Sequence, residues 1–151
     1  MNVPTLKPIS WKRVQARGYG AVAHVREPNQ GENLMTIPSL LLRLEGAAIL
    51  LAATALYWHS GNSWWLFALL IFAPDLSMLG YLAGSRIGAM TYNLLHTLTP
   101  AVTFAALGVL LDHHWIAAVG LIWLAHIGFD RLLGYGLKYP EGFKATHLAR
   151  V

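Results

Sequence analysis

The chain has no cysteine and very little charge. None of its 151 residues is cysteine, and only 12% are Asp, Glu, Lys or Arg, about half the share found in soluble domains. The lack of thiols excludes disulfides, iron–sulfur clusters, thiolate metal sites and cysteine nucleophiles. So little charge cannot hydrate every outward face of a chain that is 56% hydrophobic. The composition therefore predicts a membrane protein.

Four apolar runs are long enough to cross a bilayer as helices, which takes roughly 20 residues. They cover approximately residues 39–59, 63–83, 87–111 and 115–137. The polar connections between them are so short that consecutive helices must be antiparallel. The predicted fold is all-α, a transmembrane four-helix up-down-up-down bundle.

Three regions follow from this pattern: a polar and basic arm over residues 1–36, the bundle over 37–140 and a short tail over 141–151. The arm is expected to be solvated or to lie on the membrane surface, with an amphipathic stretch around residues 11–22. It has no apolar run long enough for a signal-peptide core, so the first span is expected to be the uncleaved insertion signal. Because Met35 begins a stretch that would make a complete protein, the arm is alternatively an upstream extension.

The basic residues lie on one side of this topology. All eleven fall before the first span, in its first turns, between the second and third spans, or at the end of the fourth: Lys7, Lys12, Arg13, Arg17, Arg26, Arg43, Arg86, Arg131, Lys138, Lys144 and Arg150. Basic residues near spans stay in the cytoplasm, which predicts cytoplasmic termini and a place in an inner (cytoplasmic) membrane. The formal net charge of +4 then indicates contact with anionic membrane lipid rather than nucleic acid. A homo-oligomer or a larger membrane complex is left open.

Five ionisable side chains lie inside the spans, where each costs several kcal/mol unless it is paired, hydrated or metal-bound. They are Glu45 in the first span, Asp75 in the second, His96 in the third, and His126 and Asp130 in the fourth. At 1.5 Å of rise per residue, these five and Asn93 lie about 9–17 Å from the cytoplasmic surface. The sequence therefore predicts one polar layer to which every span contributes.

Two prolines accompany this layer. Pro74 and Pro100 each remove a backbone donor, which leaves the carbonyls of Leu70 and His96 without their helical partners. Pro74 should also bend the second span just before Asp75. Such distortions favour a cavity at this depth.

Carboxylates and imidazoles that project inward from four helices are typical of metal sites in bundles. The predicted ligands of one or two divalent ions, Zn, Fe or Mn, are Glu45, Asp75, His96, His126 and Asp130. In hydrolytic or redox chemistry on an amphiphilic substrate, the predicted catalytic residues are Asp75, His126, Asp130 and Arg131. Asn93 would orient ligands, and Arg131 and Lys138 would be charge partners.

Two other functions remain open. The layer could be structural, in a non-catalytic accessory subunit or an oligomer, with its residues fully paired with one another and with Arg131. It could also belong to a proton-coupled transporter, although the outer halves of the spans lack ionisable residues to continue a path. Whether the protein is an enzyme is therefore left open.

The motifs that carry these residues also suggest a family. They are Trp-Leu-Ala-His-Ile-Gly-Phe-Asp-Arg at 123–131, Gly-Tyr-Gly-Leu-Lys-Tyr at 134–139, Leu-Arg-Leu-Glu-Gly at 42–46, Pro-Asp-Leu-Ser-Met-Leu-Gly-Tyr at 74–81, Tyr-Asn-Leu-Leu-His at 92–96 and Thr-His-Leu at 146–148. Together they resemble a bacterial family known as domain of unknown function 4260, over about residues 39–148. The resemblance implies a small four-span membrane protein in which Glu45, Asp75, His96, His126 and Asp130 recur. It implies no reaction.

Overall fold

The structure, a computed structural model, describes residues 11–15, 22–26, 36–141 and 146–149. It divides the chain into two compact units, Met1–Met35 and Thr36–Val151. In the first unit, strands β1 (Trp11–Gln15) and β2 (Val22–Arg26) pair antiparallel, with Trp11 opposite Arg26. The sequence pattern did not predict these strands, and residues 16–21 of the proposed amphipathic stretch lie outside the described residues.

The second unit is helical and contains the four predicted spans, each apolar and long enough to cross a membrane. The first is α1 (Ile37–His59), and the second combines α2 (Trp64–Leu70) with a 3₁₀ helix (Ala73–Ala83). The third combines α3 (Ser85–His96) with α4 (Leu98–Leu110), and the fourth is α5 (His114–Leu133). The predicted four-span helical bundle is confirmed.

The fourth span ends earlier than the sequence suggested. The predicted boundary was residue 137, but α5 ends at Leu133, because Gly134 adopts a left-handed conformation with φ of +92°. Glycine takes this conformation without steric cost and commonly terminates helices. The segment from Tyr135 onward is therefore free to fold back toward the bundle.

Both spans that contain an internal proline are interrupted rather than merely bent. The second changes from α-helix to 3₁₀ helix at residues 71–72, just before the buried Pro74. The third is broken at Thr97, whose extended backbone (ψ 138°) separates α3 from α4 three residues before Pro100. A 3₁₀ helix of eleven residues is unusually long, and such stretches often mark functional sites.

The 3₁₀ helix and α3 together form a hairpin, called here the 73–96 hairpin. It packs mainly on itself and touches α5 only lightly. The Thr91 hydroxyl donates to the Ser77 carbonyl at 2.9 Å, and Gly88 lies directly against the ring of Tyr81. The hairpin is thus a small packed unit, and the two interruptions join it to α2 on one side and to α4 on the other.

Helix α5 packs extensively against both α1 and α4. A Cβ atom added at Gly128 would lie 2.6 Å from the Leu50 backbone nitrogen and 2.8 Å from the Gly46 carbonyl oxygen. Small residues at crossings of this kind let transmembrane helices approach backbone to backbone. This close packing fixes the position of the C-terminal half of α5, which carries His126 and Asp130.

Valine at Gly128 should therefore force α1 away from α5. We expect Gly128→Val to destabilise the bundle by about 2–3 kcal/mol, because the groups that it meets are backbone and cannot rotate away. Thermal unfolding in detergent, followed by circular dichroism, should show the loss. The control Ala48→Val also enlarges a side chain to valine, but on the exposed face of α1, and should leave the unfolding midpoint unchanged. Equal effects of the two substitutions would contradict the close crossing.

Candidate metal centre

Helix α5 supplies two of the residues at the centre. His126 and Asp130 are one helical turn apart and project from the same face, as predicted from their spacing. The His126 side chain is 1% exposed and that of Asp130 is 14% exposed. The tight packing of α5 thus withdraws an imidazole and a carboxylate from solvent.

The 73–96 hairpin supplies the other two. Asp75 is the third residue of the 3₁₀ helix, and His96 is the last residue of α3. Each therefore lies beside one of the interruptions in the spans. The His96 side chain is 2% exposed, whereas that of Asp75 is 30% exposed.

These four side chains converge. The Nε2 atoms of His96 and His126 are 3.1 Å apart. Asp75 Oδ1 lies 3.4 Å from the first nitrogen and 3.6 Å from the second, and Asp130 Oδ2 lies 3.6 and 3.9 Å from the same two atoms. One ligand atom from each residue falls within 4.8 Å of all the others, and the group could hold a metal ion.

Four of the six distances among these atoms are close to those of tetrahedral coordination. Zinc binds imidazole nitrogen and carboxylate oxygen at about 2.0–2.2 Å, which separates the ligand atoms of a tetrahedral site by about 3.3–3.6 Å. Octahedral coordination at similar bond lengths would place neighbouring ligand atoms at about 3 Å. The distances between imidazole and carboxylate atoms, from 3.4 to 3.9 Å, lie nearer the tetrahedral value, whereas the 3.1 Å between the two Nε2 atoms is shorter than that value.

The hydrogen bonds of His96 show which of its nitrogens faces the centre as an acceptor. His96 Nδ1 lies 2.8 Å from the backbone carbonyl oxygen of Tyr92, which can only accept. Nδ1 must therefore carry a hydrogen, and in the neutral ring Nε2 presents a lone pair to the centre. Metal-binding histidines are commonly oriented by such a bond from their other nitrogen.

The centre is not saturated by hydrogen bonds within the described part of the chain. Asp75 Oδ1 and His126 Nδ1 are buried and have no hydrogen-bond partner. Buried polar atoms normally have partners, because an unsatisfied one costs about 1–3 kcal/mol. A cation among the four candidate ligand atoms would satisfy Asp75 Oδ1 and the Nε2 lone pair of His96, whereas His126 Nδ1 faces away from such a cation on the opposite side of its ring.

Tyr92 is a component that the sequence analysis missed. Its hydroxyl donates to Asp130 Oδ2 at 3.0 Å, and its ring stacks on that of His96 at a centroid distance of 3.6 Å. Tyr92 thus contacts one candidate ligand from the 73–96 hairpin, His96, and one from α5, Asp130. Its spacing of four residues from His96, on the same helix face, was the available signal.

The segment after α5 covers the centre with Lys138. The Asn93 amide donates to the Lys138 carbonyl at 2.8 Å, and its side-chain oxygen accepts from the Lys138 N–H at 2.7 Å. This holds the Lys138 Nζ atom 4.5 Å from the centroid of the Tyr92 ring. Burial lowers the pKa of Lys138, while the charges of Asp130 and Asp75 act in the opposite direction. Lys138 is thus an electrostatic neighbour of both carboxylates, and Asn93 orients Lys138 rather than a metal ligand.

Glu45 is not brought to the centre. It lies exposed on α1 and is outside the group of four. The expectation that every span contributes a ligand is therefore corrected. The neighbouring Gly46 faces α5, and consecutive positions on a helix differ by about 100°, so depth alone placed Glu45 on the wrong side.

Arg131 lies beside the centre, although the ion pairs of the described residues do not include it. It lines a cavity of about 10 Å³ together with Tyr92, His96 and Asp130. This volume is about that of one water-sized sphere, the least that an ordered water needs. A small polar site therefore adjoins two of the four ligand residues.

Four apolar spans and a buried His/Asp group define a multi-pass membrane protein with a candidate metal centre. Over residues 39–151 the chain matches the family described as Domain of unknown function (DUF4260), and it belongs to that family. No curated protein and no solved structure matches the chain. The family resemblance drawn from the motifs is thus confirmed.

Proposed function

We propose that this protein is a membrane-embedded zinc enzyme that hydrolyses an amphiphilic substrate in the bacterial inner membrane, with its metal centre on the cytoplasmic side. The observation that carries the proposal is the convergence of two imidazole nitrogens and two carboxylate oxygens at 3.1–3.9 Å. When the imidazoles of His96 and His126 are both neutral, the Nε2 atom of His96 presents a lone pair to the centre. A divalent cation would balance the two carboxylates and bind all four atoms.

Zinc fits this set of ligands better than the other predicted ions. Magnesium and manganese favour octahedral oxygen ligands, and non-haem iron in oxygenases commonly takes two histidines and one carboxylate with open positions. Zinc accepts nitrogen and oxygen in a tetrahedral arrangement. The four buried or half-buried side chains would supply two nitrogen and two oxygen ligands for such an arrangement within one chain.

A purely structural layer is the alternative that the geometry disfavours. Such a layer should be fully paired, whereas Asp75 Oδ1 has no hydrogen-bond partner among the described residues. Asp75 is also far more exposed than the two histidines. An exposed carboxylate is suited to shift aside and open a coordination position, which catalytic zinc sites require.

The residues around the centre suit hydrolysis of an ester or phosphoester. A bound dication supplies a lowered pKa for water and polarises a carbonyl or phosphoryl oxygen. The water oxygen would bond to the carbonyl carbon or the phosphorus while the bond to the leaving oxygen breaks. Asp75, once it has shifted aside, would accept the proton of the water and return it to the leaving oxygen, while Tyr92 holds Asp130 in place.

Metal analysis of the purified protein tests the proposal. After exposure to Zn²⁺ and removal of excess by desalting, we expect about one zinc per chain by mass spectrometry of the digested protein. Zinc should also displace Mn²⁺ supplied at equal concentration. Less than about 0.1 zinc per chain would remove the metal centre and, with it, the proposed enzyme.

A further inference from the structure

A second, larger cavity, partly open at the surface of the spans, is lined by sequence neighbours of the residues at the centre. It has a volume of about 190 Å³ and is lined only by apolar side chains of the second, third and fourth spans. Pro74 and Leu95, in its wall, directly precede the ligands Asp75 and His96 in sequence. Ile122, also in the wall, is one turn before His126. The cavity wall therefore contains neighbours, along the same helices, of three of the four candidate ligands: Asp75, His96 and His126.

Physical chemistry restricts what this cavity holds. An apolar cavity of about 150 Å³ stays dry and takes up a hydrocarbon such as benzene. The larger cavity here is built from spans that cross the hydrocarbon of a bilayer, where the abundant small-diameter molecules are lipid chains. Its wall includes residues beside both interruptions, Leu70 and Ala73 in the second span and Leu95 in the third. A hydrocarbon chain is the occupant that these walls fit.

Charge at the centre indicates what the other end of that molecule carries. Asp75, Asp130 and Lys138 together have a charge of −1, and a divalent cation would change this to +1. Arg131 follows Asp130 in sequence and is among the residues that line the same water-sized cavity, so it adds a further positive charge to this region. Positive charges in a desolvated site attract anions strongly, because the local dielectric constant is low. The metal-loaded centre is therefore suited to a phosphate or carboxylate group.

We propose that the substrate is an anionic amphiphile whose hydrocarbon chain occupies the 190 Å³ cavity and whose phosphate or carboxylate group binds between the metal and Arg131. This inference rests on the proposed metal centre and adds the substrate class. It predicts that chain and anion contribute together to binding, and that each has its own residues: Val119 in the cavity wall for the chain and Arg131 for the anion.

Cobalt-loaded full-length protein can test this, because Co²⁺ takes tetrahedral sites and its visible absorption responds to a new ligand. The protein is kept in dodecyl maltoside micelles, so that a chain without an anion is present throughout. Decyl phosphate, kept below its micelle concentration, is compared with inorganic phosphate. We expect decyl phosphate to change the cobalt bands at a concentration at least about 50-fold lower, since each buried methylene adds roughly fourfold in affinity.

Two matched variants separate the contributions. Val119→Phe fills the cavity and should remove the advantage of decyl phosphate while leaving the response to inorganic phosphate intact. Val102→Phe, the same change on an exposed face of α4, should retain the advantage. Arg131→Gln should weaken the response to both phosphates by about tenfold, with the cobalt bands still present.

The outcomes distinguish the two proposals. Absence of cobalt bands in the wild-type protein overturns the metal centre and this inference with it. Bands that respond to decyl phosphate only at the concentration needed for inorganic phosphate overturn the substrate class alone. If Val119→Phe and Val102→Phe reduce the advantage of decyl phosphate equally, the substrate class is likewise overturned, because the cavity would then have no specific part in binding.

Discussion

Replacing His96 and His126 together with alanine should reduce the zinc content from about one per chain to below about 0.1, because half of the ligand atoms are lost. The effect should be this large because the two imidazoles are the most buried ligands and lie nearest each other, with their Nε2 atoms 3.1 Å apart. The remaining ligands, Asp75 and Asp130, are two carboxylates without a nitrogen donor. Metal analysis on matched preparations measures the change.

Thermal unfolding supplies a second measurement on the same variant. A ligand that binds only the folded state, at 1,000 times its Kd, stabilises that state by about 4 kcal/mol. Chelation should therefore lower the unfolding midpoint of the wild-type protein and leave that of His96→Ala/His126→Ala unchanged. If chelation lowers both midpoints equally, the metal binds elsewhere.

A matched control is available in the same chain. His113 lies just before α5 and His114 is its first residue, and both are exposed. His114 is twelve residues before His126 on the same helix, which corresponds to about 18 Å of helical rise. His113→Ala/His114→Ala removes the same number and type of side chain. This variant should keep about one zinc and the full response to chelation.

The sequence predicted the spans well because each one depends on a local property, the length of an apolar run. It also predicted that Asp75, His96, His126 and Asp130 lie together, since ionisable groups within hydrocarbon are expensive and their depth follows from helical rise alone. Glu45 was misplaced because the depth of a residue does not say which face of its helix points inward. That orientation is set by the crossing of α1 and α5 at Gly46 and Gly128, which only the folded chain reveals.

Tertiary contacts account for the other differences. The prolines indicated distortion near the layer, but the extent of the 3₁₀ helix and the extended backbone at Thr97 depend on how the hairpin packs against itself. Lys138 reaches the centre only because Gly134 ends α5 and Asn93 holds the returning segment. The two hydrogen bonds between Asn93 and Lys138 join residues 45 positions apart, and no local sequence pattern encodes such a pairing.

The interruptions also predict how the metal affects motion. Asp75 and His96 belong to the 73–96 hairpin, whereas His126 and Asp130 belong to α5. The hairpin packs mainly on itself, so its attachment to α5 depends on few contacts, among them the bond from Tyr92 to Asp130. A cation bound to all four ligands would add bonds across this boundary. Removing it should release the hairpin as a unit at residues 71–72 and at Thr97.

Hydrogen exchange measured by mass spectrometry tests this. In the chelated protein, we expect the backbone amides of residues 73–96 to exchange at least about tenfold faster than in the zinc-loaded protein, which corresponds to about 1.4 kcal/mol less protection. The amides of α4 should change little, because that helix packs on α5 without a ligand between them. In His96→Ala/His126→Ala, exchange should be fast with or without chelator. Equal acceleration in the hairpin and α4 would mean that the metal stabilises the whole bundle, and that the interruptions do not act as hinges.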